Sequence, residues 1–362
     1  MTSGLKYGML CLTLSAAAFG QALAIASVPA DPLELAVGPI QTAGTPVRAS
    51  ALQLLERARS NYQLRNAGQA WDLKVRFAVD SRGATNFDGA WTMEDRFVPG
   101  RGLHWTAQSS AGYSAAGIFA PKETYAEASI SGVPLRLQEA RAVLYNPLPS
   151  VSYAGSGSIR TFSANFRGLD VTCILLAHAR NVQNPASGRG WEESEDCIDT
   201  QSGLLMLHSD APGRYVVYDY SNAVRLGDRR MPGSVTVSEG GRVVSKIVVE
   251  SLEGGASVEE SLFVPTTRMM SAQMPAMASL QRITRIIPGG STSAAIVRPV
   301  CVFGLVNSAG QLVEAHSLQP SDPNSDAAVK DARSINFAAM TAEGAPPEQH
   351  FVFVLEKFVT DK

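Results

Sequence analysis

The 362-residue chain holds few residues able to do chemistry, and their spacing argues against an active site. Its five histidines, His104, His178, His208, His316 and His350, share no metal-ligand spacing, and no H-E-x-x-H, G-x-S-x-G or phosphate-loop pattern occurs. Gly112-Tyr-Ser-Ala-Ala-Gly117 sets a serine between glycines at the wrong spacing for a nucleophile elbow, and a strand or turn accounts for it better. Asp196 and Asp199 flank Cys197 and could act as an acid and base pair, although carboxylates near a turn are ordinarily solvated. The sequence therefore predicts no catalytic, cofactor-binding or metal-binding residue, no cofactor and no enzyme. The alternative is an exported hydrolase whose site residues meet only in three dimensions.

The cysteines are more informative because the chain opens with an export signal. Lys6 precedes an uncharged apolar run, Tyr7 to Ala26, and small residues at Ala22, Ala24 and Ala26 offer cleavage sites. Residues 1–26 are read as a signal peptide and the mature protein as periplasmic, beginning near Ser27; an uncleaved membrane anchor is the alternative. Cys11 lies inside the apolar run and is no lipobox cysteine. In an oxidising compartment Cys173 and Cys197, which bracket a polar stretch beside two strand-like runs, are expected to form a disulfide. Cys301 is left as a buried thiol in an apolar strand.

The elements that must position these residues follow from hydrophobic period. Ser50 fits a helix N-cap, and Leu52, Leu55, Ala58 and Tyr62 recur at helical spacing through Arg65. The period then switches to two: Trp71, Leu73, Val75, Phe77 and Val79 alternate with polar residues, and Phe87, Gly89, Trp91 and Met93 resume the alternation after a Ser81-Arg-Gly83 turn. A second helical patch covers Leu135 to Leu144, and further strands fall at 158–166, 172–177, 204–208, 215–221 and 243–252. Residues 46–265 thus read as one antiparallel sheet domain with helices. Residues 266–295, with Met269, Met270, Met274, Met277 and Gly289-Gly290, read as a linker. Residues 296–362 form a small ββαβ domain: a buried strand at Val300–Val306, a turn at Asn307–Gly310, a partner strand, a helix capped by Ser325, and a last alternating strand. The fold class is α+β.

Composition excludes several functions. Hydrophobic residues make up 45% and charged residues 18%, too apolar for a disordered chain. With 31 Lys+Arg against 33 Asp+Glu there is no cationic excess to neutralise phosphates, so nucleic acid is not an expected partner.

Two family resemblances refine this picture. The succession Tyr215–Tyr220, Pro232–Val237, Arg242–Val249 and Phe263-Val-Pro265 resembles the curved-sheet proteins related to outer-membrane lipoprotein carriers. That resemblance implies a half-barrel with helices across its mouth, enclosing a lipid or lipoprotein acyl chain. A sheet whose apolar face simply packs its helices without a cavity fits the same pattern. Residues 296–359 resemble the C-terminal domain of TonB-family proteins through Asn307–Gly310, Ala327-Ala-Val329, Arg333, Phe337 and Gly344-Ala-Pro346. Ile335, Ala339 and Ser325 depart from the family pattern, and neither residues 1–26 nor 266–292 suit an energy transducer. The resemblance implies a reused docking module that binds an envelope protein or peptide by strand addition along Gln349–Phe358, with Val352, Val354 and Phe358 reading the partner's side chains. So apolar an edge must be covered by a partner strand, a second copy or the preceding linker. Together these readings predict a non-enzymatic binding or scaffold protein of the cell envelope.

Overall fold

The computed structural model describes residues 41–42, 44–80, 87–129, 133–178, 189–190, 193–255, 259–271, 281–287, 296–307, 309–337 and 348–360. The signal segment, the Ser81–Gly83 turn and Gly344–Pro346 lie outside the described residues. A short strand β1 (Gln41–Thr42) precedes helix α1 (Thr45–Ser60). The helix starts earlier than its periodicity indicates because Pro46 suits the first turn, and Ser50 donates to the Pro46 carbonyl instead of capping. It also stops earlier, at Ser60, and a 3-10 turn (Leu64–Ala67) carries Arg65 before Gly68, at φ 72°, ends it.

Strands β2 (Trp71–Val79), β3 (Gly89–Val98), β4 (Gly102–Ser109), β5 (Ser114–Phe119) and β6 (Thr124–Ala128) follow. Helices α2 (Leu135–Tyr145) and α3 (Val151–Ser156) interrupt them. The chain resumes with β7 (Ser158–Phe166), β8 (Leu169–Ala177), β9 (Ser194–Asp199), β10 (Leu205–Ala211) and β11 (Arg214–Asp219). A small ribbon, β12 (Val224–Leu226) and β13 (Arg229–Met231), leads to β14 (Ser234–Glu239) and β15 (Arg242–Gly254). Except for the ribbon these strands, with β16 (Met270–Ser271), form one open, curved antiparallel sheet in the order β1-β7-β8-β9-β10-β11-β14-β15-β2-β3-β4-β5-β6-β16. The alternation read in β2 is realised: Trp71, Leu73, Val75, Phe77 and Val79 are all buried. Phe77 stacks on Trp91 of β3 and Trp71 on Phe97, so the inward face of these strands is an aromatic layer.

Cys173 of β8 and Cys197 of β9 stand directly opposite each other and are joined by a disulfide, while Cys301 is a buried thiol. The bridge closes a separation of 24 residues. Replacing both cysteines with Ala is expected to lower stability by about 3 kcal/mol through the freed unfolded chain. A urea midpoint that does not move would show that the β8–β9 register needs no staple, and mass mapping that finds Cys301 in a bridge would overturn the pairing.

The C-terminal part contains β17 (Gln281–Ile287), β18 (Ile296–Asn307), β19 (Leu312–Ser317), α4 (Ser325–Ala332) and β20 (Glu348–Thr360). The strand, strand, helix, strand succession is present, with β17 added. Strand β18 is apolar on both phases because both are covered. Val300, Val302 and Val306 pack with Ala328 and Ala332 of α4 and with Phe337, while Cys301, Phe303 and Leu305 pack on Leu135 of α2 and Ala211 of β10.

The sheet order is β17-β20-β18-β19. The segment read as a linker supplies β16 to the large sheet and β17 to the small one. Strand β20 is not an edge: it pairs in parallel with β17 and antiparallel with β18, and Val352, Val354 and Phe358 stand opposite Gln281, Ile283 and Ile287. The preceding segment therefore occupies the edge on which strand addition was placed, and a partner strand reaches these residues only if β17 leaves.

Candidate ligand cavity and the ion network behind it

Where α2 and the 3-10 turn cross the sheet, they leave a cavity of about 330 Å³. Its floor comes from β4 and β5. Trp105 stands opposite Gly117, and a Cβ built on Gly117 would overlap the indole, so this glycine is what allows Trp105 to lie flat against the strand. Phe119, Val133 and Ala142 add apolar wall.

One side of the cavity is polar by construction. Asp95 of β3 is fully buried, a charge on the inward phase shared by Trp91 and Met93. Arg141 of α2 grips it with two hydrogen bonds, of 3.0 and 2.9 Å, and the Tyr145 hydroxyl donates to it at 2.6 Å. Burial and the adjacent Asp95 carboxylate push Tyr145 well above its ordinary pKa, so it stays a donor. The Arg141 guanidinium lies 5.2 Å from the Trp105 ring centre and 5.7 Å from that of Tyr145. The triad pins α2 to the sheet and spends the charge of Arg141. At the rim stand Arg59, in a loose 3.8 Å pair with Glu56, and Arg65, which has no hydrogen-bond or ion-pair partner among the described residues.

The opposite side of α2 faces the C-terminal part through a buried ion network. Glu239 of β14 accepts from Arg136 of α2 at 3.0 Å and from Arg214 of β11 at 3.3 Å, and lies 3.1 Å from His316 of β19. Glu139 bonds both arginines. Glu314 of β19 pairs with Arg242 at 3.2 Å. Burial alone would raise the Glu239 pKa, but Arg136, His316 and Arg214 outweigh it and hold the carboxyl well below the usual range. Burial, reinforced by the Glu239 carboxylate, pushes Glu314 up. The Arg136 and Arg214 guanidiniums both lie over the ring of Phe303 of β18, 5.4 and 5.7 Å from its centre. From Arg214 the network continues through Asp210 to His208, whose Nδ1 meets Asp196 at 2.7 Å and whose Nε2 meets Asp210 at 3.1 Å.

This arrangement decides the residues singled out in the sequence. Asp196 and Asp199 are not solvated; both are buried in β9, and only Asp196 touches a histidine. His208 is no general base, because both ring nitrogens are held by carboxylates and its pKa is pushed up to about 10. His178 approaches Ser156, but at 3.5 Å, and the Ser156 hydroxyl donates to the Tyr153 carbonyl instead. Glu239, Glu314 and His316 are close enough to share a cation. Arg136, Arg214 and Arg242 already supply the countercharge there. His104 is a buried strand residue, and the side chain of His350 lies outside the described residues. The sequence reading missed Asp95, Glu239 and their arginines. The available signal was phase: each acid occupies the apolar beat of its strand, Trp91-Met93-Asp95 and Val235-Val237-Glu239.

No family model matches the chain, and no curated protein does. Solved structures resemble it at low identity. A putative outer membrane lipoprotein-sorting protein domain from Vibrio parahaemolyticus is 9% identical, with a TM-score of 0.37 over 60% of this chain and 97% of that one. A DUF1329 family protein from Desulfovibrio piger is 11% identical, with a TM-score of 0.39 over 60% and 96%. The MucA/MucB complex of Pseudomonas aeruginosa gives 11% and 0.28 over 72% and 81%. Among the described residues no helix is long and apolar enough to cross a membrane.

Proposed function

We propose that the chain is an exported, periplasmic, non-enzymatic binding protein of the cell envelope that holds an apolar or amphiphilic ligand in the cavity between α2 and the sheet. The observation that carries this reading is the cavity itself, floored by Trp105 and Phe119. Its volume is at the lower end of the roughly 300–1,000 Å³ of small-molecule sites, enough for one chain or ring system. The C-terminal part, reused from a TonB-like docking module, is the protein-facing end. Its partner strand adds to the free side of β17 or replaces β17 beside Val352, Val354 and Phe358.

Gly117→Val tests the cavity. Its side chain drives the Trp105 indole out of its seat and into the ligand space, so binding of the neutral probe N-phenylnaphthylamine should weaken by about tenfold, roughly 1.4 kcal/mol. Fluorescence titration with far-UV circular dichroism as a fold control measures this. Probe binding that is absent in the parent protein, or unchanged in the folded variant, would overturn the reading.

A further inference from the structure

The cavity is apolar on its floor and cationic at its rim. Among the described residues its walls carry Arg59, Arg65 and Arg141 and no aspartate or glutamate. Arg141 is neutralised by Asp95 beneath it, and Arg59 has a distant partner in Glu56. Arg65 has only weak electrostatic company: Tyr145 and Asp95 on one side of the balance, and the Arg141 cation on the other. Partial loss of water is the largest influence on its pKa and lowers it below the ordinary guanidinium value; Tyr145 opposes this, Arg141 adds to it and Asp95 opposes it. A guanidinium without a carboxylate partner at the mouth of an apolar hole is stabilised by an anion, which it binds through two parallel hydrogen bonds. Close by, the Gln138 side chain donates its amide to the Val133 carbonyl at 2.7 Å and leaves its oxygen buried without a partner. That orphan acceptor suits the hydroxyl of a ligand head group.

Resting on the binding function proposed above, we infer that the ligand is a single-chain amphiphile with an anionic head, its chain on Trp105 and Phe119 and its carboxylate or phosphate on Arg65, with Arg59 second. A zwitterionic or neutral amphiphile gains only the apolar contact. An uncharged ligand would leave Arg65 without a countercharge, and a cationic one would meet repulsion from both rim arginines.

Displacement of N-phenylnaphthylamine from the full chain by four twelve-carbon probes, each below its micellar concentration, separates the possibilities. Dodecanoate and dodecyl phosphate are expected to compete at least about tenfold more strongly than dodecyl maltoside, and dodecyltrimethylammonium least. Whichever anion is stronger distinguishes a fatty acid from a phosphate lipid as the source of the head. Arg65→Ala should erase the preference for anions over dodecyl maltoside, and Arg65→Lys should restore part of it. Raising the salt concentration should weaken the anions alone. If the neutral probe binds and all four amphiphiles compete equally, or Arg65→Ala keeps the anion preference, the inference falls while the binding function stands. If the neutral probe does not bind at all, the binding function itself falls.

Discussion

Glu239→Gln should cost about 3–5 kcal/mol of stability, the range found when one member of a buried ion network is neutralised and its partners stay charged. The amide is nearly isosteric, so packing hardly changes, yet Arg136 and Arg214 lose a full countercharge and His316 meets an atom that can donate as well as accept. The loss should be concentrated at the seam between the two sheets, because Arg136, Arg214 and Glu239 sit on the large sheet and its helix while His316 and Phe303 belong to the small one. Urea denaturation gives the total, and limited proteolysis should show the region from β18 onward cut earlier than in the parent protein. A change under about 1 kcal/mol would mean that the network is well solvated in practice. Replacing the whole cluster with apolar residues of similar volume is a different experiment: buried ion pairs are often no better than well-packed hydrocarbon, so what the network provides is a single way of seating Phe303.

Stability should also fall steeply as pH rises from neutrality to above 10, and His208 is the cause. Its folded pKa is about 10 against an ordinary 6.5: burial alone would lower it, but Asp210 and Asp196 together outweigh burial. A group raised in the folded state stabilises fully below the unfolded value and loses that contribution as pH climbs through the folded one. The window therefore runs from about pH 6.5 to pH 10, with a ceiling of about 5 kcal/mol for a shift of this size. His208→Gln should be destabilised at pH 6 and show little further loss over that window. Urea midpoints at pH 6, 8 and 10 for both proteins check this, and parallel pH curves for the two would refute the assignment to His208.

Local pattern carried much of the fold and almost none of the site. Trp71 to Val79 announces a strand because one phase is wholly apolar, and Val300–Val306 announces burial on two sides because both phases are. Cys173 and Cys197 were legible as a pair because both adjoin strand-like runs. By contrast, β4 to β6 are weakly alternating and hold Gly102 and Gly117, so their signal is faint. Asp95 and Arg141 lie 46 residues apart, and Arg136 and Glu239 lie 103 apart. Nothing local tells an arginine on α2 which buried acid it will meet. The two functions of α2 were equally hidden. Its Arg136 and Glu139 turn to the small sheet and its Gln138, Arg141, Ala142 and Tyr145 to the cavity, a division that shows only when both neighbours are in place.

The place of β20 within the small sheet bears on how this chain is made. It is the last of the four strands in the chain, and so the last to emerge on export, yet it belongs in the middle, between β17 and β18. Until it arrives, β17 has no neighbour in that sheet and β18 has only β19, so an apolar strand waits with an open ladder. Strands in that condition pair readily with whatever strand is at hand, including those of another copy. Closure also requires a parallel pairing between segments about 70 residues apart, a slow event compared with hairpin formation. Exported chains truncated before Glu348 should therefore be strong clients for periplasmic holdase chaperones, and docking of the last strand is the step that releases the full chain.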